Sequence, residues 1–317
     1  MPTVTIASHA MATRFEIVLH GGDPVALRAA GEEALGEIDR LEAQLSLYRN
    51  TSEISHLNAR AGGHAVRVTP SLFALLQQAK KLHQESGGAF DITIGPLVRC
   101  WGFMDGSGRV PAPDELAEAR ARVGMDLVQL HAQDFTVQFA REGVMLDLGA
   151  IGKGYAIERA AEILRQAGVT SALLHGGTST VYAIGQPPEA EVWKVAVENP
   201  QKQQPGGSPA LLATISLKDE ALSVSAVWGK SFQEAGKTFG HVIDPRSGQP
   251  ARAAVLAAVV LPSATETDAL STALLTVGRE GHETIAKLRP GMRTLLLSEF
   301  AGEFRIEANG IAVQSNQ

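Results

Sequence analysis

The chain has a single cysteine, Cys100, so it can close no disulfide on itself and can build no multi-thiolate metal centre. Any metal it holds must rest mainly on oxygen or imidazole ligands. Positive charge is also short, with 28 lysines and arginines against 34 aspartates and glutamates and a formal net charge of −6. A nucleic-acid binder carries a basic footprint, and this composition argues against that class. No apolar run approaches the roughly 20 residues of a membrane span. The opening residues, Met1-Pro2-Thr3-Val4-Thr5-Ile6-Ala7, lack the basic segment and apolar core of a signal peptide. As written, the sequence predicts a cytoplasmic protein, or a periplasmic one if a leader has been removed.

What is present is an ordinary globular composition with one unusual stretch at its centre. Val144, Met145, Leu146 and Leu148 form a short apolar run around Asp147, which reads as a buried strand. Gly149-Ala150-Ile151-Gly152-Lys153-Gly154 then places three glycines and a lysine within six residues. From Tyr155 the pattern is helical, with Ile157, Ala160, Ala161, Ile163 and Leu164 apolar and Gly168 as the stop. A strand, glycine turn and helix start bring backbone N–H groups and a positive dipole end to one point. That suits an anion such as a pyrophosphate, with Lys153 adding a full charge. Neither the dinucleotide fingerprint nor the P-loop spacing is met, and a plain strand-to-helix turn explains the same glycines.

Upstream, Thr3–Ala7 and Phe15–Leu19 read as strands flanking Met11-Ala12-Thr13. Asp23-Pro24 and Thr69-Pro70 each start an amphipathic helix. Asp91, in Gly88-Ala89-Phe90-Asp91-Ile92, lies between apolar residues on a strand-like or extended segment, a costly place for a carboxylate without a partner, and capping of a nearby helix or turn explains it equally. A charged helix over 114–123 and a hairpin over 127–139 follow. Ser171–His175 completes a strand–helix–strand unit of βαβ appearance. Strands are predicted over 193–198, 211–217, 222–225 and 255–261, and a polar loop over 201–209. Early helices and late strands suggest an α+β fold with mainly antiparallel sheet. No linker is evident, so residues 1–317 read as one compact two-lobed unit.

Two late segments carry candidate chemistry. Asp268 and Thr272 share one helical face, where a carboxylate and a hydroxyl could both reach a hard cation such as Mg²⁺. Equally, an Asp in a first turn suits the dipole and a mid-helix Thr bonds back to a carbonyl. His241, beside Val242 and Ile243 and ahead of an Asp244-Pro245 turn, reads as either a structural histidine or a general base.

In order along the chain, Met11-Ala12-Thr13, Ser46-Leu47-Tyr48-Arg49, Ser52-Glu53 with Asn58, Gly88-Ala89-Phe90-Asp91, Gly95-Pro96-Leu97 with Trp101-Gly102-Phe103, Asp147-Leu148-Gly149-Ala150-Ile151, Lys153-Gly154-Tyr155-Ala156, Gly176-Gly177, His241-Val242-Ile243-Asp244-Pro245 with Gly248, and Asp268-Ala269 with Thr272 resemble the ApbE-type FAD:protein FMN transferases. The resemblance implies a Mg²⁺-dependent enzyme that splits the pyrophosphate of FAD. It joins FMN to a Ser or Thr hydroxyl of an acceptor protein and releases AMP. It further implies a duplicated sheet-and-helix core of the T-fold type, with flavin in a cleft between lobes. Asp268, Thr272 and the Ala150 carbonyl match the family's metal ligands, and His241 the residue that takes the proton from the acceptor hydroxyl. Met11, Tyr48, Ala89, Phe90, Asp91, Asp147, Lys153 and the backbone near Ile243 match its FAD-contacting positions. Glu158, where the family has Asp, is grouped with them.

Three departures stand out. The family's Gly-Gly-Asp reads Gly176-Gly177-Thr178, its Asp is Glu158, and its Thr-Ser-Gly reads Val224-Ser225-Ala226. Loss of the carboxylate at Thr178 keeps two alternatives open: an FAD hydrolase giving FMN and AMP, and an FAD-binding protein without turnover.

Overall fold

Alternating apolar and polar residues in Thr3–Ala10 (β1) and Thr13–His20 (β2) give a hairpin whose Phe15, Ile17 and Leu19 enter the core. In the computed structural model, which describes residues 1–200, 210–229, 231–300 and 302–314, this hairpin begins a large sheet. The polar loop predicted over 201–209 lies outside the described residues. Helix α1 (Pro24–Leu45) starts where Asp23-Pro24 predicts, the Asp23 carboxylate accepting from the Val25 N–H at 2.9 Å. Then come α2 (Glu53–Arg60), β3 (Val66–Arg67), α3 (Pro70–Glu85), α4 (Gly95–Cys100), α5 (Pro113–Arg120) and the predicted hairpin, β4 (Val128–His131) and β5 (Thr136–Phe139). Helix α6 (Gly152–Gln166) is followed by strands β6 (Ser171–Gly176), β7 (Thr180–Gly185), β8 (Trp193–Glu198), β9 (Leu211–Leu217), β10 (Ala221–Ala226), β11 (Ser231–Glu234), β12 (Lys237–Gly240) and β13 (Leu256–Leu261). Helix α7 (Ala264–Ala286) and strands β14 (Arg293–Phe300) and β15 (Glu303–Asn309) complete the order.

The main sheet has eight strands in the order β1-β2-β6-β7-β10-β13-β14-β15, each pair antiparallel. Its halves follow one plan. A strand pair, helices and a second strand pair (β1-β2, α1 with α6, β6-β7) are repeated as β10-β13, α7 and β14-β15. The expected α+β fold of mainly antiparallel sheet is therefore present. One face carries α1, α6 and α7 on Phe15, Ile17, Leu174 and Val259. The other is covered by the β8-β9 pair through Trp193, Val197 and Ile215. Strand β13, between the two, is buried at all six positions, as its unbroken apolar run requires.

Two expectations fail at the centre of the chain. Residues 144–148 form no strand of the sheet; their ladder is one parallel bridge, Met145 to Ile94. The Asn58 side-chain amide takes both backbone groups of Leu146, at 2.9 and 2.8 Å, and the Ile92 carbonyl takes the Asp147 N–H at 2.7 Å. With those groups occupied no neighbouring strand can pair, so burial alone mimicked a strand. The βαβ reading falls with it, since β6 lies antiparallel between β2 and β7.

Candidate active site

Helix α6 begins at Gly152, three residues before the periodicity indicated, so its first turn is built from the glycine segment. Asp147 Oδ1 accepts from the Gly149 N–H at 2.8 Å and shapes the bend, while Lys153 Nζ donates to the Gly149 carbonyl at 3.3 Å. The first four N–H groups of a helix have no acceptor within it. At Gly154 the acceptor comes from the far end of the sequence: Asp268 Oδ2, on α7, at 2.9 Å. Asp268 is only 4% exposed.

The approach of α6 to α7 depends on Gly154. A Cβ there would stand 2.2 Å from the Ala264 carbonyl oxygen and 2.7 Å from Asp268 Cβ. Alanine gains up to about 1 kcal/mol of helix propensity over glycine, but the contact is with backbone that cannot swing aside. Gly154→Ala should therefore destabilise the fold, by about 1–3 kcal/mol as overpacking typically does, seen as a lower urea midpoint.

Thr272 makes the structural bond expected of a mid-helix threonine. Its Oγ1 lies 3.3 Å from the Asp268 carbonyl, the back-bond of a mid-helix threonine, and 3.1 Å from Ser225 Oγ. Ser225 Oγ is also 2.8 Å from Ser271 Oγ, and one strand step away Ser223 bridges Thr180 and Thr267 at 3.2 and 2.8 Å. This hydroxyl ladder between β10 and α7 is absent from the sequence reading. Its only signal was the serine at every second position of Ser223-Val224-Ser225, which puts both on one strand face. Among the described residues no three His, Cys, Asp or Glu side chains are grouped to hold a metal. Any cation here depends on one carboxylate with hydroxyl and carbonyl oxygens.

His241 follows β12 on a braced loop. The Ala251 N–H donates to the Val242 carbonyl at 2.8 Å, Ile243 bridges Pro250, and the Gly248 N–H donates to the Asp244 carbonyl at 2.7 Å. Ile243 is buried among Leu97, Trp101, Phe103 and Phe239, and Trp101 Nε1 donates to the Gly248 carbonyl at 2.8 Å. His241 itself is half-buried. The chain leaving β10 passes it, since a Cβ at Gly229 would lie 3.9 Å from His241 Cε1. The strand that holds Thr272 through Ser225 therefore leads to His241.

The remaining positions border this region or leave it. Met11 and Ala12 form the β1-β2 turn with φ of 50° and 58°, a two-residue turn of the kind that ordinarily takes Asn-Gly. The Gly177 N–H donates to the Arg14 carbonyl at 2.8 Å and joins that tip to the end of β6. Tyr48 is 63% exposed, and its hydroxyl is pushed up from the ordinary value by local shielding and then by the Asp147 carboxylate beside it. Thr178 is exposed. Ala89 and Phe90 are buried in a turn, not the strand-like segment expected.

Asp91 has partners both in that turn and on α3. Oδ1 accepts from the Thr93 N–H and hydroxyl at 2.7 and 2.6 Å, and Oδ2 lies 3.1 Å from His83 Nδ1. Burial alone would push the His83 imidazole down, but the Asp91 carboxylate and Phe90 carbonyl outweigh it and hold it above its usual value. A raised folded-state value means the stabilisation is complete below the unfolded-state value of about 6.5 and is lost as pH rises through the folded one. The stability cost of His83→Ala, from denaturant titrations, should accordingly be larger at pH 5.5 than at pH 8. Glu158 likewise has protein partners, with Oε2 accepting from the Ser263 hydroxyl at 2.8 Å and the Thr265 N–H at 2.7 Å at the start of α7.

Known proteins are similar to this chain in sequence and in fold. The sequence profile of the ApbE family matches residues 11–296. A FAD:protein FMN transferase from Treponema pallidum is 33% identical over 285 residues, covering 86% of this chain and 77% of that protein. One from Haemophilus influenzae is 30% identical over 268 residues, covering 81% and 76%. Among solved structures, the ApbE protein of Thermotoga maritima superposes with a TM-score of 0.85 at 25% identity, over 99% of this chain and 96% of that one. The apo flavinyl transferase ApbE of Pseudomonas stutzeri gives 0.85 at 27% identity, over 98% and 95%. By profile, sequence and fold alike, this chain belongs to the ApbE family.

Proposed function

We propose that this chain is an FAD:protein FMN transferase, acting as one unit over residues 1–317. It breaks the pyrophosphate of FAD, joins the FMN phosphorus to a Ser or Thr oxygen of an acceptor protein, and releases AMP. The observation that carries the reading is the meeting of the α6 start, with Lys153, and the buried Asp268 carboxylate of α7. The T. pallidum and H. influenzae relatives are named FAD:protein FMN transferases.

The oxygens offered here suit a small hard cation: the Asp268 carboxylate, whose Oδ2 accepts from the Gly154 N–H, has the Thr272 hydroxyl four residues along the same helix. Asp268, Thr272 and the Ala150 carbonyl would hold Mg²⁺, which when bound supplies charge stabilisation to the pyrophosphate oxygens. The chain's own residues do the rest. Lys153, at the α6 start, binds and orients the phosphates. His241, on its braced loop, takes the proton from the acceptor hydroxyl as its oxygen attacks phosphorus. Met11, Tyr48, Ala89, Phe90, Asp91, Asp147 and the Ile243 backbone border the flavin-binding region.

Incubation with FAD, MgCl₂ and Ser/Thr peptides, followed by mass spectrometry, tests the reading. It requires a peptide carrying FMN on a hydroxyl with AMP formed one for one. AMP and free FMN without modified peptide would mark a hydrolase instead, and neither product would mark a binding protein.

A further inference from the structure

Helices α6 and α7 present the same polarity to each other at their closest approach. Gly154 packs on Ala264 and Asp268, and Glu158 reaches Ser263 and Thr265. Two helix N-termini, each carrying a partial positive charge and orphan N–H groups, are thereby brought together. Left alone they would repel and leave donors unmet. Each helix instead supplies the other's cap: α7 gives Asp268 to the Gly154 N–H, and α6 gives Glu158 to the Thr265 N–H. The two carboxylates belong to one reciprocal arrangement, though only Asp268 carries a role in the chemistry above.

We propose that Glu158 is a positioning residue that sets where Asp268 stands relative to the glycine bend, and that it is not a flavin contact. This rests on the reading that Asp268 holds a divalent cation. Both bonds of Glu158 converge on one oxygen, Oε2, at 2.8 and 2.7 Å, and Ser263 in turn accepts from the Glu266 N–H at 3.2 Å. Glu158 therefore fixes the first turn of α7, and Asp268 lies on the next. Other ties on that turn, such as Thr267 on Ser223 of β10 and Glu266 on Arg289, do not reach α6. Arg289 pairs with Glu266 at 2.8 Å and with Glu85 at 2.6 Å, which anchors α7 to α3 and leaves its distance from α6 unset. The glutamate that replaces the family's shorter aspartate reaches a backbone N–H on the neighbouring helix, so the longer arm has a structural use.

The test separates cation affinity from flavin affinity. Mn²⁺ binding to the full chain is measured by electron paramagnetic resonance, and FAD binding by flavin fluorescence in metal-free buffer. Groups that orient a metal ligand typically govern affinity by 10–100-fold, so Glu158→Ala should weaken Mn²⁺ binding about tenfold and leave FAD affinity within about twofold. Glu158→Gln keeps an acceptor oxygen at the same reach and should recover most of the loss. Ser263→Ala removes one of the two bonds and should weaken Mn²⁺ binding in the same direction, which answers the question if Glu158→Ala does not fold. Unchanged Mn²⁺ affinity in Glu158→Ala, or in Ser263→Ala should the former not fold, would overturn the proposal. So would metal-free FAD affinity falling as far as that for Mn²⁺. Asp268→Asn run alongside distinguishes the failures. If it too binds Mn²⁺ normally, the cation reading itself falls; if it alone loses Mn²⁺, only the role of Glu158 does.

Discussion

Asp268→Asn should reduce FMN transfer on the order of 10³-fold while leaving the protein folded, the several kcal/mol that a bound cation's charge is worth in such a reaction. The substitution is informative because Asp268 has a second, purely structural explanation. It caps α6 through the Gly154 N–H at 2.9 Å, and asparagine serves almost as well as aspartate in a cap. An amide oxygen can accept the same bond at the same reach, so the helix contact survives and only the negative charge is lost. If capping were the whole role, activity would stay near wild type. AMP formation at saturating MgCl₂, read beside the thermal midpoint, decides between them. Near-native rates in a normally stable variant would remove Asp268 from the chemistry.

His241→Ala should slow transfer by about 10²–10⁴-fold, the range that a positioned general base contributes, and should leave FAD affinity unchanged. The separation follows from the structure. The His241 loop is held by its own backbone bonds, by Ile243 in the aromatic cluster and by Trp101 on Gly248, so loss of the imidazole does not release it. A base acts by removing a proton in the reacting complex, so the variant should lose whatever pH dependence the imidazole gives the wild-type rate. Single-turnover rates across pH, with FAD binding followed by flavin fluorescence, check both halves. A variant with the wild-type rate and profile would show that His241 is structural.

How far the sequence could be read depended on the separation of the interacting groups. The Asp23-Pro24 and Thr69-Pro70 helix starts were legible because cap and helix are adjacent, as was the shared face of Asp268 and Thr272. The buried cost of Asp91 was legible too, and so was a local cap, which Thr93 provides; the pairing with His83 was not, since His83 returns to it only through the turn after α3. Residues 144–148 misled because their backbone partners lie in Asn58, 88 positions away for Leu146, and in Ile92. Periodicity registers burial and cannot tell what pairs the backbone. The hairpin β11-β12 escaped notice because its turn is Ala235-Gly236, with φ of 49° and 74°, where Asn-Gly is the usual signal. The contact on which the site depends, Gly154 with Asp268, spans 114 positions. Only the family resemblance joined those segments beforehand, and it grouped Glu158 with the flavin contacts without indicating its protein partners, Ser263 and Thr265.

The most direct measurement is a crystal structure of the protein with FAD and Mn²⁺, with the cation located by its anomalous scattering. The account requires one peak within coordinating distance of Asp268 and Thr272, facing the glycine bend before α6, with the flavin's phosphates on its other side. A pyrophosphate bound away from that bend, or a cation seated elsewhere in a complex that still turns over, would contradict it.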